Sequence, residues 1–198
     1  MASARSCVRS GWQAAGPNDE GLGAMSDAWA AIRTKRMVRS FQPRPLDAAH
    51  LTRIVDAGRH AASSKNQQRW DFVVVEDRAR LEALSKCGPY AGHVAGAAAA
   101  IALVTPDPRG AGASLSVIWD VGMAAENMML AAWELGVGSC PATVYEQAIA
   151  QRVLGYPDDR FCGWILSFGY PADPADLTRP PKPGGRRPLD AVVHRDRW

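Results

Sequence analysis

Between Arg33 and Arg44 the chain carries five basic residues, Arg33, Lys35, Arg36, Arg39 and Arg44, and no acid. A cationic stretch of this kind suits a phosphate-bearing ligand, and it equally describes an ordinary solvated surface. From Arg179 to Trp198 the imbalance recurs, with six basic residues against two acids, and Arg186 and Arg187 stand side by side within it. Residues 61–69 are polar and lack any apolar period, so they read as a loop in which Ser63, Asn66 and Gln68 offer hydroxyl and amide donors and acceptors. The cysteines, Cys7, Cys87, Cys140 and Cys162, are far apart and show no metal-ligand spacing. They predict packing thiols in a reducing, cytoplasmic setting and no metal site. Cys140 has no CxxC partner and no evident base beside it, which favours packing over redox work. A dinucleotide fingerprint at Gly136-Val-Gly138 is excluded, because these glycines follow a helical pattern instead of opening one and the third glycine is missing.

Residues 114–142 contain the element that has to position these groups. Val117, Val121, Ala124, Ala125, Met128, Ala132 and Leu135 form an apolar stripe at helical spacing, and Ile118, Met123, Met129, Leu130 and Trp133 fill most of the remaining circumference. The pattern predicts a long helix buried on nearly every side. Gly136 and Gly138 stop it, and Pro141 prevents its resumption. Asp120, Glu126, Asn127 and Glu134 argue against a membrane span. Upstream, Ser26 is a plausible cap for a helix over residues 27–35 with Trp29 and Ile32 inward, and Asp47 caps a helix over residues 48–58 with Leu46 and Leu51 as a hydrophobic staple. Buried strands are expected at residues 72–75, 100–104 and 162–168, and helices after Asp77, near residues 93–99 and over residues 145–154. Trp70 reads as a core anchor.

A chain of 198 residues with 47% hydrophobic content supports one sizeable core and not two independent ones. We expect residues 1–24 to be a poorly ordered extension without a secretory signal, with Met25 a plausible alternative start, and residues 25–198 to form the domain. The proline-rich tail has no steady period, and a long irregular segment of this kind suits an arm around a neighbouring subunit. Nucleic-acid binding is disfavoured, because aromatic residues are not interleaved with the basic ones as stacking platforms.

Five stretches, in order, resemble the FMN-dependent nitroreductase family. They are Lys35-Arg-Met-Val-Arg-Ser-Phe41; Ala62-Ser-Ser-Lys-Asn-Gln-Gln-Arg-Trp70 leading into Phe72-Val-Val-Val; Asp120-Val-Gly-Met-Ala-Ala-Glu-Asn127 through Leu135-Gly-Val-Gly-Ser-Cys140; Gly155-Tyr-Pro157 with Phe168-Gly-Tyr-Pro171; and Arg187-Pro-Leu-Asp-Ala-Val-Val-His194 with Trp198. The resemblance covers the chain from about Ala28 onward. It implies an α+β nitroreductase-like fold: a mixed central sheet flanked by helices, a long buried central helix at a homodimer interface, an extended C-terminal arm, and FMN bound where the subunits meet.

Carried over by motif, the resemblance places Lys35, Arg36, Met37 and Arg39 at the flavin phosphate. Met37 departs from the serine common among relatives, which leaves the phosphate to the cations. It implies that Ser63, Asn66 and Gln68 hydrogen-bond the isoalloxazine rim and the ribityl hydroxyls, in a loop less rigid than usual because Ala62 and Arg69 replace prolines. Ser139, Cys140, Pro141 and Ala142 would lie over the flavin. Arg186 and Arg187 would complete the phosphate site from the tail or, alternatively, belong to a solvated arm. Tyr90, His93, Trp119 and Tyr145 are candidates for the substrate side or for packing, and residues 86–93 and 106–114 for shaping the acceptor pocket. The implied function is an oxidoreductase that uses NADH or NADPH to reduce a nitroaromatic, quinone or similar flat small-molecule acceptor by a ping-pong mechanism, with no catalytic side chain because the chemistry resides in the flavin. Alternatives of the same fold are an FMN-dependent dehydrogenase, a flavin-consuming enzyme, or a flavin-binding module without turnover.

Overall fold

A computed structural model describes residues 28–110, 113–180 and 184–198. The expected extension at residues 1–24, the alternative start at Met25 and the Ser26 cap lie outside the described residues. Helix α1 (Ala28–Thr34) is followed by α2 (Ala48–Arg59), strand β1 (Asp71–Val75), α3 (Arg78–Leu84), β2 (Ala99–Pro106), α4 (Ser116–Glu134), β3 (Gly138–Thr143), α5 (Gln147–Leu154) and β4 (Arg160–Gly169). Short 3-10 turns occur at Ser64–Asn66, Gly92–Gly96, Pro174–Leu177 and Leu189–Ala191.

The strands form one sheet in the order β1-β2-β4-β3 and pair antiparallel throughout. Among the described residues, the parallel component expected of a mixed sheet is confined to a single bridge between Met37 and Ser139. Strand β2 shows why the sheet sits in the middle of the molecule. Its alternation sends Ala99, Ile101 and Leu103 to one apolar cluster and Ala100, Ala102 and Val104 to another, and all six are buried. The first cluster lies under α2 and α4 and contains Ile54, Val121, Ala124, Met128, Leu166 and Phe168; the second contains Leu81 and Leu84 of α3 and Ala150 of α5. Full burial of one such leucine or isoleucine contributes about 1.5–3 kcal/mol.

The start signals of α2 and α3 hold. Asp47 accepts a hydrogen bond from Ala49 N at 2.8 Å, and Asp77 accepts one from Arg80 N at 2.9 Å. Leu46 and Trp70 are both buried in the cluster beneath α4. At the end of α4, Gly136 turns the chain with φ of 70°, and Val137 N donates to Ala132 O at 2.8 Å.

Three expectations need correction. Strand β1 is an edge strand and is not buried on both faces: Val74 is exposed and only Val75 is fully buried, because at the margin of the sheet the covering helices leave part of it open and, among the described residues, no strand flanks it on the far side. Helix α1 buries Ala31 and leaves Trp29 and Ile32 outward at 64% and 54% exposure, since it packs on α4 through its smallest side chain. Helix α4 is buried along one stripe within this chain, from Val117 and Val121 to Ala132, while Leu115, Ile118 and Trp119 at its start are exposed. Among the described residues, α1, α2 and the sheet pack against the rest of the helix and leave this N-terminal patch open.

Strand β3 forms although Gly-Ser-Cys-Pro-Ala-Thr lacks the β-branched run that marks a strand in sequence. Its place at the sheet edge explains how Pro141, which has no N–H, is accommodated.

Candidate functional site

Residues 35–42 run beside β3 and the end of β4. Val38 N donates to Ser139 O at 3.0 Å, Gln42 N donates to Tyr170 O at 2.8 Å, and Phe41 bridges Pro171. Gly138 permits this approach, because a Cβ there would lie 2.6 Å from the Val38 Cβ. The basic segment is therefore laid against Gly138 and Ser139 at the start of β3 and continues beside residues 170–172.

The three cations in this segment have different partners. Lys35 Nζ pairs with Glu126 of α4 at 2.9 Å, and the lysine side chain is only 8% exposed. Arg36 donates from Nε to Arg179 O at 2.7 Å and from its terminal nitrogen to the carbonyls of Arg33, Thr34 and Lys35. It thus pins the start of the tail to the basic segment. Arg39 is exposed and has no hydrogen-bond or ion-pair partner among the described residues. Its charge lies near enough to act on two buried groups: it adds to the burial that lowers the His93 pKa, and it opposes, without outweighing, the burial that raises that of Cys140. Met37 is partly exposed on the bridge to Ser139.

Behind β3 a polar chain fixes the strand. Ser167 Oγ donates to Cys140 O at 3.1 Å, and His93 Nδ1 lies 2.8 Å from the same hydroxyl oxygen. Since the serine proton is directed at the carbonyl, the imidazole carries its proton on Nδ1 and donates it to Ser167. Burial, reinforced by Arg39, holds His93 below the ordinary histidine pKa and so favours the neutral ring. Cys140 is buried, and burial raises its thiol pKa. Burial likewise pushes Cys87 up to about 11 and Cys162 up to about 12. These thiols pack, as expected, and hold their protons at neutral pH.

Residues 63–68 form the second wall. Lys65 and Asn66 both have φ of 53°, and Gln68 has φ of 48°. Left-handed backbone costs a non-glycine residue about 1–2 kcal/mol. Inside the loop, Asn66 N donates to Ser63 O at 2.9 Å, Gln68 N to Ser63 Oγ at 3.0 Å, and Gln68 Nε2 to Asn66 Oδ1 at 3.0 Å. Asn66 and Gln68 are exposed, and Asn66 Nδ2 and Gln68 Oε1 have no partner among the described residues. Ser64 N donates to the buried Asp120 Oδ2 of α4 at 3.0 Å.

The basic segment and the amide loop therefore both attach to α4, at Glu126 and Asp120. Six residues of helix separate the two attachment points by about 9 Å along the axis. The tail does not join them within one chain: residues 184–198 are all exposed, and the Arg187 guanidinium donates to Ala191 O. Arg186 is likewise exposed. In the sequence Asp120 interrupts the apolar helix and opens a stretch that resembles the family, but nothing local signals its bond to a loop 56 positions away.

The described residues contain no group of three or more histidine, cysteine or acidic side chains able to hold a metal, and no helix long and apolar enough to cross a membrane. Comparison with known proteins places this geometry. A relative from Archaeoglobus fulgidus, named as an NADH dehydrogenase/NAD(P)H nitroreductase, is 32% identical over 179 residues, covering 88% of this chain and all of the relative. An NADPH-flavin oxidoreductase from Vibrio harveyi is 26% identical, covering 88% of this chain and 75% of that protein. The solved structure of an FMN-dependent nitroreductase from Clostridium difficile has the same fold, with a TM-score of 0.71 at 23% identity over 86% of this chain and 99% of that one. The nitroreductase family model matches residues 32–91 and 81–170. With the family's pattern spanning both walls of the site and the helix that joins them, the chain belongs to the nitroreductase family.

Proposed function

We propose that this chain binds FMN between residues 35–39, 63–68 and 139–142 and acts as an NAD(P)H-dependent oxidoreductase on nitroaromatic, quinone or similar flat acceptors. The observation that carries the reading is the attachment of a cationic segment and an exposed amide loop to one helix, with β3 alongside the first of them. The residues fit FMN in kind. Asn66 Nδ2 and Gln68 Oε1 offer a donor and an acceptor suited to a flavin rim, and Arg39 offers an unneutralised guanidinium suited to a phosphate. Lys35 stands behind it as a cation already held by Glu126, and Arg36 acts chiefly on the backbone. FMN, when bound, would supply the hydride-accepting ring that no side chain here provides.

The protein's part is orientation and exclusion of water. Ser139, Cys140 and Ala142 are buried and Pro141 is exposed, so this edge strand would present a firm surface to one side of the ring. Nicotinamide and acceptor would then use one open face in turn, which predicts ping-pong kinetics. A homodimer is part of the reading: the exposed Leu115, just before α4, and Ile118 and Trp119 within it form an apolar face that a second copy would cover, and the exposed tail would bring Arg186 and Arg187 to the partner's phosphate site. The test is an absorbance spectrum of the purified protein followed by anaerobic addition of NADH and of NADPH. A yellow protein bleached by either nicotinamide supports the reading; a protein that takes up no FMN, or whose bound FMN neither nicotinamide bleaches, overturns it.

A further inference from the structure

The loop at residues 63–68 adopts a shape that its own sequence resists. Lys65, Asn66 and Gln68 are all left-handed, and none is a glycine. Most of the hydrogen bonds of this stretch are internal to it and would travel with it if it moved. Among the described residues a single hydrogen bond ties these six residues to another secondary-structure element, the one from Ser64 N to Asp120 Oδ2 at 3.0 Å. Asp120 is 3% exposed and sits on α4 between Val117, Val121 and Ala124, which are buried in the core. A carboxylate so placed is an immobile acceptor, and it makes a stronger bond than a neutral amide would.

We propose that Asp120 is the positioning residue of the candidate flavin site: by holding Ser64 N against the core helix, its carboxylate keeps the 63–68 loop in the left-handed form that sets the spacing of Ser63, Asn66 and Gln68. The inference rests on the reading of that loop as an FMN wall, and two of its readouts are independent of flavin. Without the anchor, the loop relaxes toward ordinary backbone and presents the same side chains in a different arrangement. Glycine adopts positive φ without penalty, so a glycine at Lys65, which is outside the proposed binding set, relieves part of the need for the anchor.

The experiment uses the full chain with Asp120→Ala, Asp120→Asn as the milder variant that retains the side-chain shape, and Asp120→Ala/Lys65→Gly. FMN affinity is read by fluorescence quenching, loop order by the rate of tryptic cleavage after Lys65 in the absence of flavin, and folding by thermal melting. Loss of one hydrogen bond to a charged acceptor predicts FMN binding weaker by about tenfold or more in Asp120→Ala, with Asp120→Asn in between. Cleavage after Lys65 should accelerate in both single variants, and the glycine should restore most of the lost affinity. A residue that only stabilises the fold would lower the melting temperature, leave cleavage after Lys65 unchanged, and gain nothing from the glycine. If the wild-type chain binds no FMN, the proposed function fails while cleavage still tests the anchor. Wild-type FMN affinity and cleavage rate in a folded Asp120→Asn, together with no rescue by the glycine, overturn this inference alone.

Discussion

Residues 63–68 keep Asn66 Nδ2 and Gln68 Oε1 without an internal partner, whereas in residues 35–39 Lys35 is engaged by Glu126 and Arg36 by four main-chain carbonyls. The amide loop accepts a strained backbone and leaves its functional groups open to a ligand. The basic segment has the richer sequence signal, yet most of its charge already serves internal structure. A count of cations thus overstates the local capacity for phosphate, while a bland polar loop understates what its geometry can present. On the proposed reading, most of the rim recognition would fall to Asn66 and Gln68 and most of the phosphate recognition within one chain to Arg39.

The largest expected effect comes from removing the open amide. Asn66→Ala removes both a candidate ligand contact and the internal acceptor for Gln68, and it should weaken FMN binding by about 10- to 100-fold, the range of one to two buried hydrogen bonds, as read by fluorescence quenching. Arg39→Ala should follow, at about tenfold, with a shallower salt dependence than the wild type because one charge-assisted contact is gone. Lys35→Met should change FMN affinity by less than about threefold, since the ammonium is already paired with Glu126. A Lys35 effect equal to that of Arg39 would erase the proposed division between the two cations.

The polar chain behind β3 gives smaller effects of a different kind. Ser167→Ala removes the donor to Cys140 O and the acceptor for His93, and should destabilise the fold by about 1–3 kcal/mol, measured by chemical denaturation. His93 adds a pH signature. Its folded pKa lies below the usual value of 6.5, so below that pH the unfolded chain takes up the proton first and the folded state loses relative stability. Above pH 6.5 both forms are neutral and the contribution is flat. The melting temperature of the wild type should therefore fall more steeply from pH 7 to pH 5 than that of His93→Gln.

Legibility in the sequence tracked the range of the forces involved. Local signals were readable: the Asp47 and Asp77 caps, the stop at Gly136, and the burial of β2 from its continuous apolar run. Strand β3 was missed because its pairing with β4 and its bridge to Met37 overrule a weak strand propensity in Gly-Ser-Cys-Pro. The inward placement of Trp29 failed because a seven-residue helix shows too little of a period to decide which side meets α4. At the site, residue types suggested the cationic and amide segments, but nothing in the order of residues links Lys35 to Glu126 or Ser64 to Asp120. Those contacts join positions 91 and 56 apart, and they decide which groups remain open.

The central claim, that an amide wall and a cation act on one FMN molecule, is tested most directly by titrating the flavin-free protein with FMN and with riboflavin, which has the same ring but no phosphate. The account predicts that FMN binds about tenfold or more tightly than riboflavin in the wild type, and that Arg39→Ala closes most of that gap while leaving riboflavin affinity unchanged. Equal affinities for the two flavins in the wild type, or a gap that Arg39→Ala does not narrow, would contradict it.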